Sequence, residues 1–468
     1  MPHVLVVGGG STGTAVARDL ALRGADVTLV ERGGLAAGTT GRMHGLLHSG
    51  ARYANADPES ARDCAAENEV LRDIAPHCVD DTGGLFVQHA DDEPYLDAKA
   101  AACRDCDVPV ERLSAAEARE AEPALADDVT GALRVPDGTV DPFRLCAANA
   151  LAAEEAGATV RTGTAVTDLR VADGRVVGAE LDGAETVDAD HVVNAAGPWA
   201  DRLAGLAGCS APVRHSQGAM VVLDSHLSRV VNRCRPKGEG DIAVPHGAGA
   251  VLGTTDESVS GPDAVERDET DVERVVAELA AVLPGVADAP RLHAYWGVRP
   301  LADPEASGPG DASRDFAVVD HREVPDEVRN LGLSEREANG VSRHASREAD
   351  RREASFRANG ERQRPVSREV KGRDASEGAS GGDRRKQHTS RATDGVEGFT
   401  SVVGGKVTTC RLMAERTADA VSERLGLDGD CRTADAVLPV PDDAVLARYG
   451  LAGDDRPPVV VPEAGSGL

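Results

Sequence analysis

The pattern of apolar and polar positions at the start of the chain predicts a strand, a turn, a helix and a second strand. The run His3–Val7 is mainly apolar, glycines crowd positions 8–13, an alanine-rich stretch continues to Arg23, and a second apolar run, 26–31, ends at Glu31. Short β-branched runs on either side of a helical stretch are typical of a βαβ unit with parallel strands. These residues predict an α/β fold.

Later patterns predict further strands and helices. The succession from Leu145 to Gly197 indicates a helix, a strand, a hairpin and a final strand, and the hairpin turns at Asp173-Gly174, a dipeptide that favours tight turns. Residues 212–303 combine short strands with one helix and predict a sheet-based second domain. The remaining elements are predicted at 219–223 and 250–252 (strands), 271–283 (helix), 396–403 (strand) and 408–425 (helix).

The glycines of Gly8-x-Gly10-x-x-Gly13 predict a dinucleotide site. The first glycine permits a tight turn, the second lets the backbone approach a pyrophosphate, and the third allows close packing of helix on strand. Amides at the helix start then face the phosphates. Glu31 follows Gly13 by 18 residues, where a carboxylate can accept hydrogen bonds from an adenosine ribose.

Three features favour FAD over NAD, which the same glycine pattern also serves. Residues 32–53 contain many small residues, so the backbone could run alongside an extended cofactor. The apolar strand 192–196 stops at Gly197, where the backbone could pass the adenosine diphosphate; a plain strand followed by a turn is the alternative. Gly404-Gly405-Lys406 precedes a helix whose first amides could face the flavin pyrimidine edge and favour its reduction.

Composition narrows the class of partners. The 468 residues carry a formal charge of -28, which disfavours nucleic acid and anionic membrane surfaces. Only five residues are lysine, and the dispersed acidic excess predicts adaptation to high salt. The nine cysteines are scattered and no secretory signal precedes them, which predicts a reduced cytoplasmic setting. Cys103 and Cys106 form a single CxxC motif without a second pair nearby, which predicts no metal site. The sequence contains no run of about 18 apolar residues and therefore predicts no membrane span.

Residues 329–393 differ from the rest of the chain. Between 329 and 391 there are 16 basic and ten acidic residues and almost no large apolar side chains. Such a segment cannot bury enough apolar surface to offset its ordering entropy. We predict a disordered basic insertion, with a basic arm for nucleic acid as the less favoured alternative.

At these motifs the sequence resembles the FAD-dependent glycerol-3-phosphate dehydrogenases, most closely the large flavoprotein (A) subunit of the anaerobic, multi-subunit type. The resemblance covers residues 1 to about 322 and again 394–426. The segments that carry it are 44–53 (His-Gly-Leu-Leu-His-Ser-Gly-Ala-Arg-Tyr), 57–62, 74–78, 82–86, 135–144, 231–235, 253–255, 297–301 and 404–409 (Gly-Gly-Lys-Val-Thr-Thr).

The resemblance implies oxidation of sn-glycerol 3-phosphate to dihydroxyacetone phosphate. Electrons would pass from FAD through partner subunits of the B and C type to quinone, so that the chain would meet the membrane periphery only through those partners. Guanidinium and ammonium groups suit a phosphate dianion. The matching motifs place three cations near the substrate, Arg52, Arg299 and Lys406, and Arg314 is a further candidate. His48 is the candidate base for the C2 hydroxyl, and Tyr53 the candidate for orienting the substrate.

The resemblance also implies the fold. It predicts a Rossmann-like FAD-binding domain of the D-amino-acid-oxidase-like class and a second, α+β substrate domain built on a mixed or antiparallel sheet. The FAD-binding domain would comprise residues 1–75, 140–210 and 394–426, the substrate domain 76–139 and 211–328, and a truncated tail 427–468. The implied cofactor-binding residues are Gly8, Gly10, Ser11, Thr12, Gly13, Glu31, Arg32, Thr40, His44, Leu47, His48, Ala196, Gly197, Trp199, Gly404, Gly405, Lys406, Val407 and Thr408.

The sequence departs from the family pattern at several places. Gln217 stands where a lysine is usual, Cys410 stands where a tyrosine is common, and the basic insertion precedes the strand that leads to Lys406. The cysteine-rich, iron-sulfur-type domain of the family is also missing from these residues. Two alternatives therefore stay open: a related flavin oxidase of amines or 2-hydroxy acids, and a degenerate protein that binds FAD or partner subunits without turnover.

Overall fold

The computed structural model describes residues 1–236, 240–247, 249–302, 315–322 and 395–451. Its strands are β1 His3–Val7, β2 Asp26–Val30, β3 Leu46–Leu47, β4 Val79–Asp80, β5 Gly84–His89, β6 Glu111–Ser114, β7 Val129–Val135, β8 Gly138–Val140, β9 Thr159–Arg161, β10 Val166–Ala172, β11 Arg175–Leu181, β12 Glu185–Asp188, β13 His191–Asn194, β14 Arg214–Leu223, β15 Val230–Arg233, β16 Ile242–His246, β17 Gly249–Gly253, β18 Glu257–Ser258, β19 Arg291–Leu301, β20 Phe316–Asp320 and β21 Phe399–Gly404. Its α-helices are α1 Ser11–Leu22, α2 Pro58–Ile74, α3 Leu96–Asp105, α4 Ala115–Ala121, α5 Pro142–Glu155, α6 Ala200–Leu206, α7 Glu269–Ala280, α8 Cys410–Leu425 and α9 Asp443–Arg448.

A largely parallel sheet carries the predicted βαβ unit. Its strand order is β20-β21-β13-β1-β2-β9, and every neighbouring pair is parallel except β20 and β21. Alternate residues of β1 face opposite sides: Val4 and Val6 pack with α1, α5 and α8, whereas Leu5 and Val7 pack with α6 and the antiparallel β10–β12 sheet. Both faces of β1 are therefore buried, which explains why all residues from Val4 to Val7 are apolar. The predicted α/β fold is confirmed.

A second, mixed sheet lies beside the first. Its order is β18-β14-β17-β16-β15-β5-β7-β6. The strands β17 and β18 pair with successive parts of one edge of β14, and β19 pairs with its opposite edge. The β15–β5 pair is parallel and the others are antiparallel. Val272, Val275 and Leu279 of α7 are buried in the core beneath this sheet. The predicted mixed sheet is confirmed.

Several predicted elements start or end at other residues than expected. The helix expected at 145–155 begins at Pro142, because Asp141 caps it by accepting hydrogen bonds from two first-turn amides. The helix expected from residue 408 begins at Cys410, because Thr409 donates its amide to Lys406 in a preceding turn. Both shifts arise from local hydrogen bonds, a side-chain cap at Asp141 and a backbone turn at Thr409, which the apolar pattern does not contain.

The strands β20 and β21 are antiparallel neighbours although the predicted insertion separates them in sequence. The Val396 amide donates to the His321 carbonyl at 2.8 Å, and Phe399 is fully buried. The insertion itself, 329–393, lies outside the described residues. The described residues up to Arg322 and from Val396 onward pack as one compact unit. The division of this compact unit into an FAD-binding domain and a substrate domain stays a prediction.

The described part of the predicted tail, residues 427–451, packs against the helices α1 and α5. Arg18 on α1 donates to the Ala436 carbonyl at 2.5 Å, and Tyr449 is buried with its hydroxyl 2.8 Å from Glu154 on α5. This stretch therefore contributes to the core. No helix in the described ranges has the length and apolar character that a bilayer crossing requires.

Candidate functional site

A cavity of about 710 Å³ lies between the two large sheets. One wall is formed where β1, β2, β13 and β21 end, which is where parallel sheets present ligand-binding loops. The opposite wall comes from β14, β16, β19 and the residues after β17. Its described lining holds six cationic and three anionic side chains: Arg32, Arg42, Arg52, Arg202, Arg299 and Lys406 against Glu31, Asp256 and Asp315. In a chain of charge -28, this cavity is suited to an anionic ligand.

Close backbone packing shapes the first wall. Gly8 has φ +116°, and a Cβ there would lie 2.4 Å from the Ala195 carbonyl oxygen. A Cβ on Gly13 would lie 1.9 Å from the Gly8 carbonyl oxygen. Glycine at both positions therefore lets α1 start directly against β1, with its first amides at the cavity wall. The cradle fits the pyrophosphate of a dinucleotide.

Glu31 is fixed at the end of β2 by two backbone amides. Its Oε2 accepts from Gly9 at 2.7 Å and its Oε1 from Gly33 at 2.8 Å. A carboxylate offers about four acceptor positions, so two remain for another donor. Because Glu31 also lines the cavity, these positions suit the hydroxyls of a ribose.

A flat aromatic surface lines the same cavity as Glu31. The Arg32 guanidinium is 4.1 Å from the centre of the Trp199 ring, and Trp199 Nε1 donates to Asp263 at 3.1 Å. Ala196 and Gly197, which precede Trp199, also line the cavity. The stacked pair and the short backbone stretch suit a planar base at this end.

Two successive glycines bend the chain at another part of the cavity. Gly404 and Gly405 have φ values of +86° and +74°. Side chains there would collide, since a Cβ would lie 2.5 Å from the Asp315 carbonyl oxygen at Gly404 and 2.3 Å from Met413 Sδ at Gly405. The bend brings Lys406 to the wall, while α8 starts only four residues later, at Cys410.

His48, Tyr53 and Lys406 meet at this wall. The Tyr53 hydroxyl lies 3.4 Å from His48 Nε2, and Lys406 Nζ lies 4.5 Å from the Tyr53 ring centre. Burial, followed by His44, Arg52 and Lys406, lowers the pKa of His48 well below 6.5. Burial and the nearby arginines also lower the pKa of His44 to about 3. Both imidazoles are therefore neutral at pH 7, and His48 can accept a proton.

Side chains from other elements hold the His48 backbone. Its amide donates to Thr408 Oγ1 at 3.0 Å, and its carbonyl accepts from Asn68 Nδ2 at 3.2 Å. Thr408 and the neighbouring Leu47 are buried behind the cavity wall and do not line it. Asn68 was not expected from the sequence, where it is an ordinary polar position within α2.

Two of the arginines that line the cavity, Arg52 and Arg299, are held by acceptors. Arg52 Nη2 donates to Asp241 Oδ1 at 2.7 Å, and Arg299 Nη2 donates to Thr254 Oγ1 at 2.8 Å and to the Thr255 carbonyl at 2.9 Å. Sequence reasoning missed Asp241. Thr254 and Thr255 belong to a segment that carries the family resemblance, so a signal for them existed.

The cavity brings together most of the residues predicted for the site. Those that line it are Gly8, Gly10, Ser11, Thr12, Glu31, Arg32, Thr40, His44, His48, Arg52, Tyr53, Ala196, Gly197, Trp199, Arg299, Gly404, Gly405, Lys406 and Val407. Gly13, Leu47 and Thr408 lie behind the wall, and Arg314 lies outside the described residues.

Two further sequence features are accounted for outside the cavity. Gln217 bonds the Glu266 backbone, donating to its carbonyl at 2.8 Å and accepting from its amide at 3.0 Å, and it does not line the cavity. Cys103 and Cys106 are buried free thiols. Within the described ranges, no group of three or more His, Cys, Asp and Glu side chains could hold a metal ion.

Comparisons with known proteins agree with this architecture. The family model described as FAD dependent oxidoreductase matches residues 3–334. The A1 subunit of the anaerobic glycerol-3-phosphate dehydrogenase of Haloferax volcanii is 44% identical over 466 residues, covering 96% of this chain and 68% of that protein. The A subunit of the Escherichia coli K12 enzyme is 36% identical over 453 residues, covering 93% of this chain and 70% of that protein.

Two solved structures share the fold. A glycerol-3-phosphate dehydrogenase from Bacillus halodurans, complexed with FAD, superposes with a TM-score of 0.62 at 22% identity, covering 96% of this chain and 69% of that one. A glycine oxidase from Bacillus cereus gives a TM-score of 0.60 at 18% identity, covering 94% and 99%. At such identities these likenesses concern the fold alone. From the family match and the relatives, the chain belongs to the FAD dependent oxidoreductases, in the family of the A subunits of anaerobic glycerol-3-phosphate dehydrogenases.

Proposed function

We propose that this protein oxidises sn-glycerol 3-phosphate to dihydroxyacetone phosphate, using FAD. The observation that carries the proposal is the meeting of Arg52, Arg299 and Lys406 with His48 and Tyr53 in one cavity of a strongly acidic chain. Cations are costly to gather without an anion to bind, and the histidine supplies the proton acceptor that an alcohol oxidation needs.

The cavity has the features that FAD requires. Gly8, Gly13 and the start of α1 would hold the pyrophosphate, Glu31 the ribose, and the glycine bend at 404–405 the isoalloxazine. When bound, FAD accepts the hydride that leaves C2 of the substrate. The glycines support this assignment, because a Cβ on Gly8 or Gly13 would meet backbone atoms at 2.4 and 1.9 Å.

Three cations of the cavity would bind the phosphate of the substrate. The Arg52 guanidinium suits paired N–H donation to phosphate oxygens, while Lys406 presents a single ammonium. Both Nη atoms of Arg299 already donate to protein oxygens, so Arg299 would contribute mainly its positive charge. Asp241 and Thr254 already restrain the two arginines at 2.7 and 2.8 Å. Restrained donors lose less side-chain entropy when the phosphate binds. Arg314 remains a further candidate.

His48 would take the proton of the C2 hydroxyl. Its imidazole is neutral because burial and the neighbouring His44, Arg52 and Lys406 lower its pKa. The same cations would favour onward transfer of that proton from the imidazolium to solvent. Tyr53, 3.4 Å from His48 Nε2, would share the substrate hydroxyl with it. A positioned base of this kind contributes about 10²–10⁴-fold to the rate.

The two relatives from Haloferax volcanii and Escherichia coli are each one subunit of a larger enzyme, which implies that this chain also works with other subunits. We propose that partners of the B and C type carry its electrons to quinone and bring it to the membrane periphery from the cytoplasm. Co-purification of the tagged chain with membrane fractions should then depend on those partners.

The decisive experiment is anaerobic reduction of the purified protein. We expect a yellow protein in multimolar KCl whose flavin absorbance near 450 nm bleaches on addition of sn-glycerol 3-phosphate. Glycine and lactate, added separately, test for an amine or 2-hydroxy acid oxidase and should leave the spectrum unchanged. A yellow protein that glycerol 3-phosphate does not bleach would contradict the proposal and favour a flavoprotein without turnover.

A further inference from the structure

Two buried charged side chains that the proposed chemistry does not use hold the segment Ser49–Arg52. Asp137 follows β7 and is 3% exposed, whereas Lys99 belongs to α3 and is 6% exposed. Burying a charge is costly unless hydrogen bonds compensate it. The hydrogen-bond partners of these two side chains therefore indicate the structural role of the two charges.

Asp137 binds the beginning of the segment. Its Oδ1 accepts from the amide of Ser49 at 2.8 Å and from its hydroxyl at 2.7 Å, while Oδ2 accepts from Asn232 Nδ2 at 3.3 Å. Gly84 leaves room for it, since a Cβ there would lie 2.6 Å from the Asp137 Cβ. Hydrogen bonds to an ionised acceptor are about twice as strong as neutral ones, so this carboxylate fixes the backbone directly after His48.

Lys99 binds the end of the segment. Its Nζ donates to the Ala51 carbonyl at 3.1 Å and to the Arg52 carbonyl at 3.5 Å. The ammonium also lies 5.4 Å from the Phe86 ring centre and 5.7 Å from that of Tyr95. Carbonyl oxygens and aromatic faces both stabilise a buried cation. Lys99 thus fixes the backbone from which the Arg52 side chain reaches Asp241.

We propose that Asp137 and Lys99 form a brace that positions segment Ser49–Arg52, and thereby sets where the Arg52 guanidinium meets the phosphate of the substrate. The phosphate part of this inference rests on the proposed function. Bidentate binding is geometrically demanding, so a small displacement of the guanidinium would weaken its hold on the phosphate. The brace would hold both ends of a four-residue segment against such a shift.

The test compares Asp137→Asn and Lys99→Met in the full-length, FAD-loaded protein at high salt. Because phosphate contacts act equally on bound substrate and transition state, we expect KM for glycerol 3-phosphate to rise roughly ten-fold with little change in kcat. Ser49→Ala, which removes one bond to Asp137, should raise KM less. Asp19→Asn, a buried carboxylate that pairs with Arg23 at 2.6 Å, is the matched control and should leave KM unchanged.

Hydrogen exchange of the peptide covering 49–53 gives a readout that does not depend on activity. We expect several-fold faster exchange in this peptide in Asp137→Asn and Lys99→Met, and an unchanged exchange rate in Asp19→Asn. Unchanged exchange, or faster exchange with unchanged KM, would overturn the positioning role. If glycerol 3-phosphate does not bleach the wild-type flavin, the proposed function is wrong. The positioning role of Asp137 and Lys99 would be refuted separately, by unchanged exchange in their variants.

Discussion

Replacing Gly13 with alanine should remove most of the affinity for FAD, because the added methyl group has no room. Its Cβ would lie 1.9 Å from the Gly8 carbonyl oxygen, whereas an ordinary carbon–oxygen contact is about 3.4 Å. The helix α1 and the strand β1 would have to separate by about 1.5 Å. The amides at the start of α1 would move with the helix and lose their alignment with the pyrophosphate.

The expected magnitude follows from this displacement. A misplacement of about 1 Å can cost about 100-fold where geometry is demanding, which corresponds to about 2.7 kcal/mol of binding free energy. We therefore expect the Kd for FAD to rise about 100-fold in Gly13→Ala. Titration of the apoprotein with FAD, followed by flavin fluorescence in high salt, measures it directly.

Gly205 provides the matched control. It lies in the helix α6, is exposed, and a Cβ there would meet no atom within 4 Å. Alanine is favoured over glycine in a helix by up to about 1 kcal/mol, so Gly205→Ala should keep its FAD affinity and unfold no more easily than the wild type. Equal Kd values for Gly13→Ala, Gly205→Ala and the wild type would refute the argument that FAD binding needs this close approach.

Other predictions concern catalysis, acid stability and a buried ion pair. His48→Ala should keep the flavin spectrum but slow reduction by glycerol 3-phosphate at least about 100-fold in stopped flow, and near-normal rates would remove it from the mechanism. Burial holds the pKa of His191 and of His321 at about 4, against 6.5 when exposed, so the folded chain binds fewer protons and its stability, complete above pH 6.5, falls as the pH drops toward 4. The loss at pH 5 should be about 2 kcal/mol per histidine, measured as urea midpoints at pH 7 and 5, and replacement of both by glutamine should flatten the dependence. Arg411→Met should cost about 3–5 kcal/mol in the same assay, because it leaves Glu67, whose Oε2 lies 2.9 Å from Arg411 Nε, buried without its cation; an unchanged midpoint would contradict this account.

The sequence predicts the parts of the fold that depend on local patterns. The strand His3–Val7, the glycine turn and α1 follow from a period of two, a motif and a period of 3.6, all within 31 residues. Asp173 and Gly174 likewise form the expected hairpin, with φ values of +50° and +77°. The grouping of Arg52, Arg299 and Lys406 around one cavity could be anticipated only through the family resemblance.

The parts that sequence reasoning missed depend on tertiary contacts. The helix α2 was not predicted because its buried face includes Ser60, Glu67 and Asn68, which interrupt the apolar period. These side chains are buried because Ser60 and Glu67 bind Lys406 and Arg411, more than 340 positions away. Asn68 binds the His48 carbonyl, 20 positions away and outside the helix. The parallel pairing of β5 with β15 also has no local signal, since their residues lie more than 140 positions apart.

The antiparallel pairing of β20 with β21 also identifies a place where the chain can be cut or extended by protein engineering. Because the Val396 amide bonds the His321 carbonyl, the backbone leaves and re-enters the sheet at one point. New termini from circular permutation, an affinity handle or a fluorescent reporter could be introduced there without pulling the two strands apart. A short type I′ turn joining the same two positions would equally preserve the geometry that delivers Lys406 to the cavity.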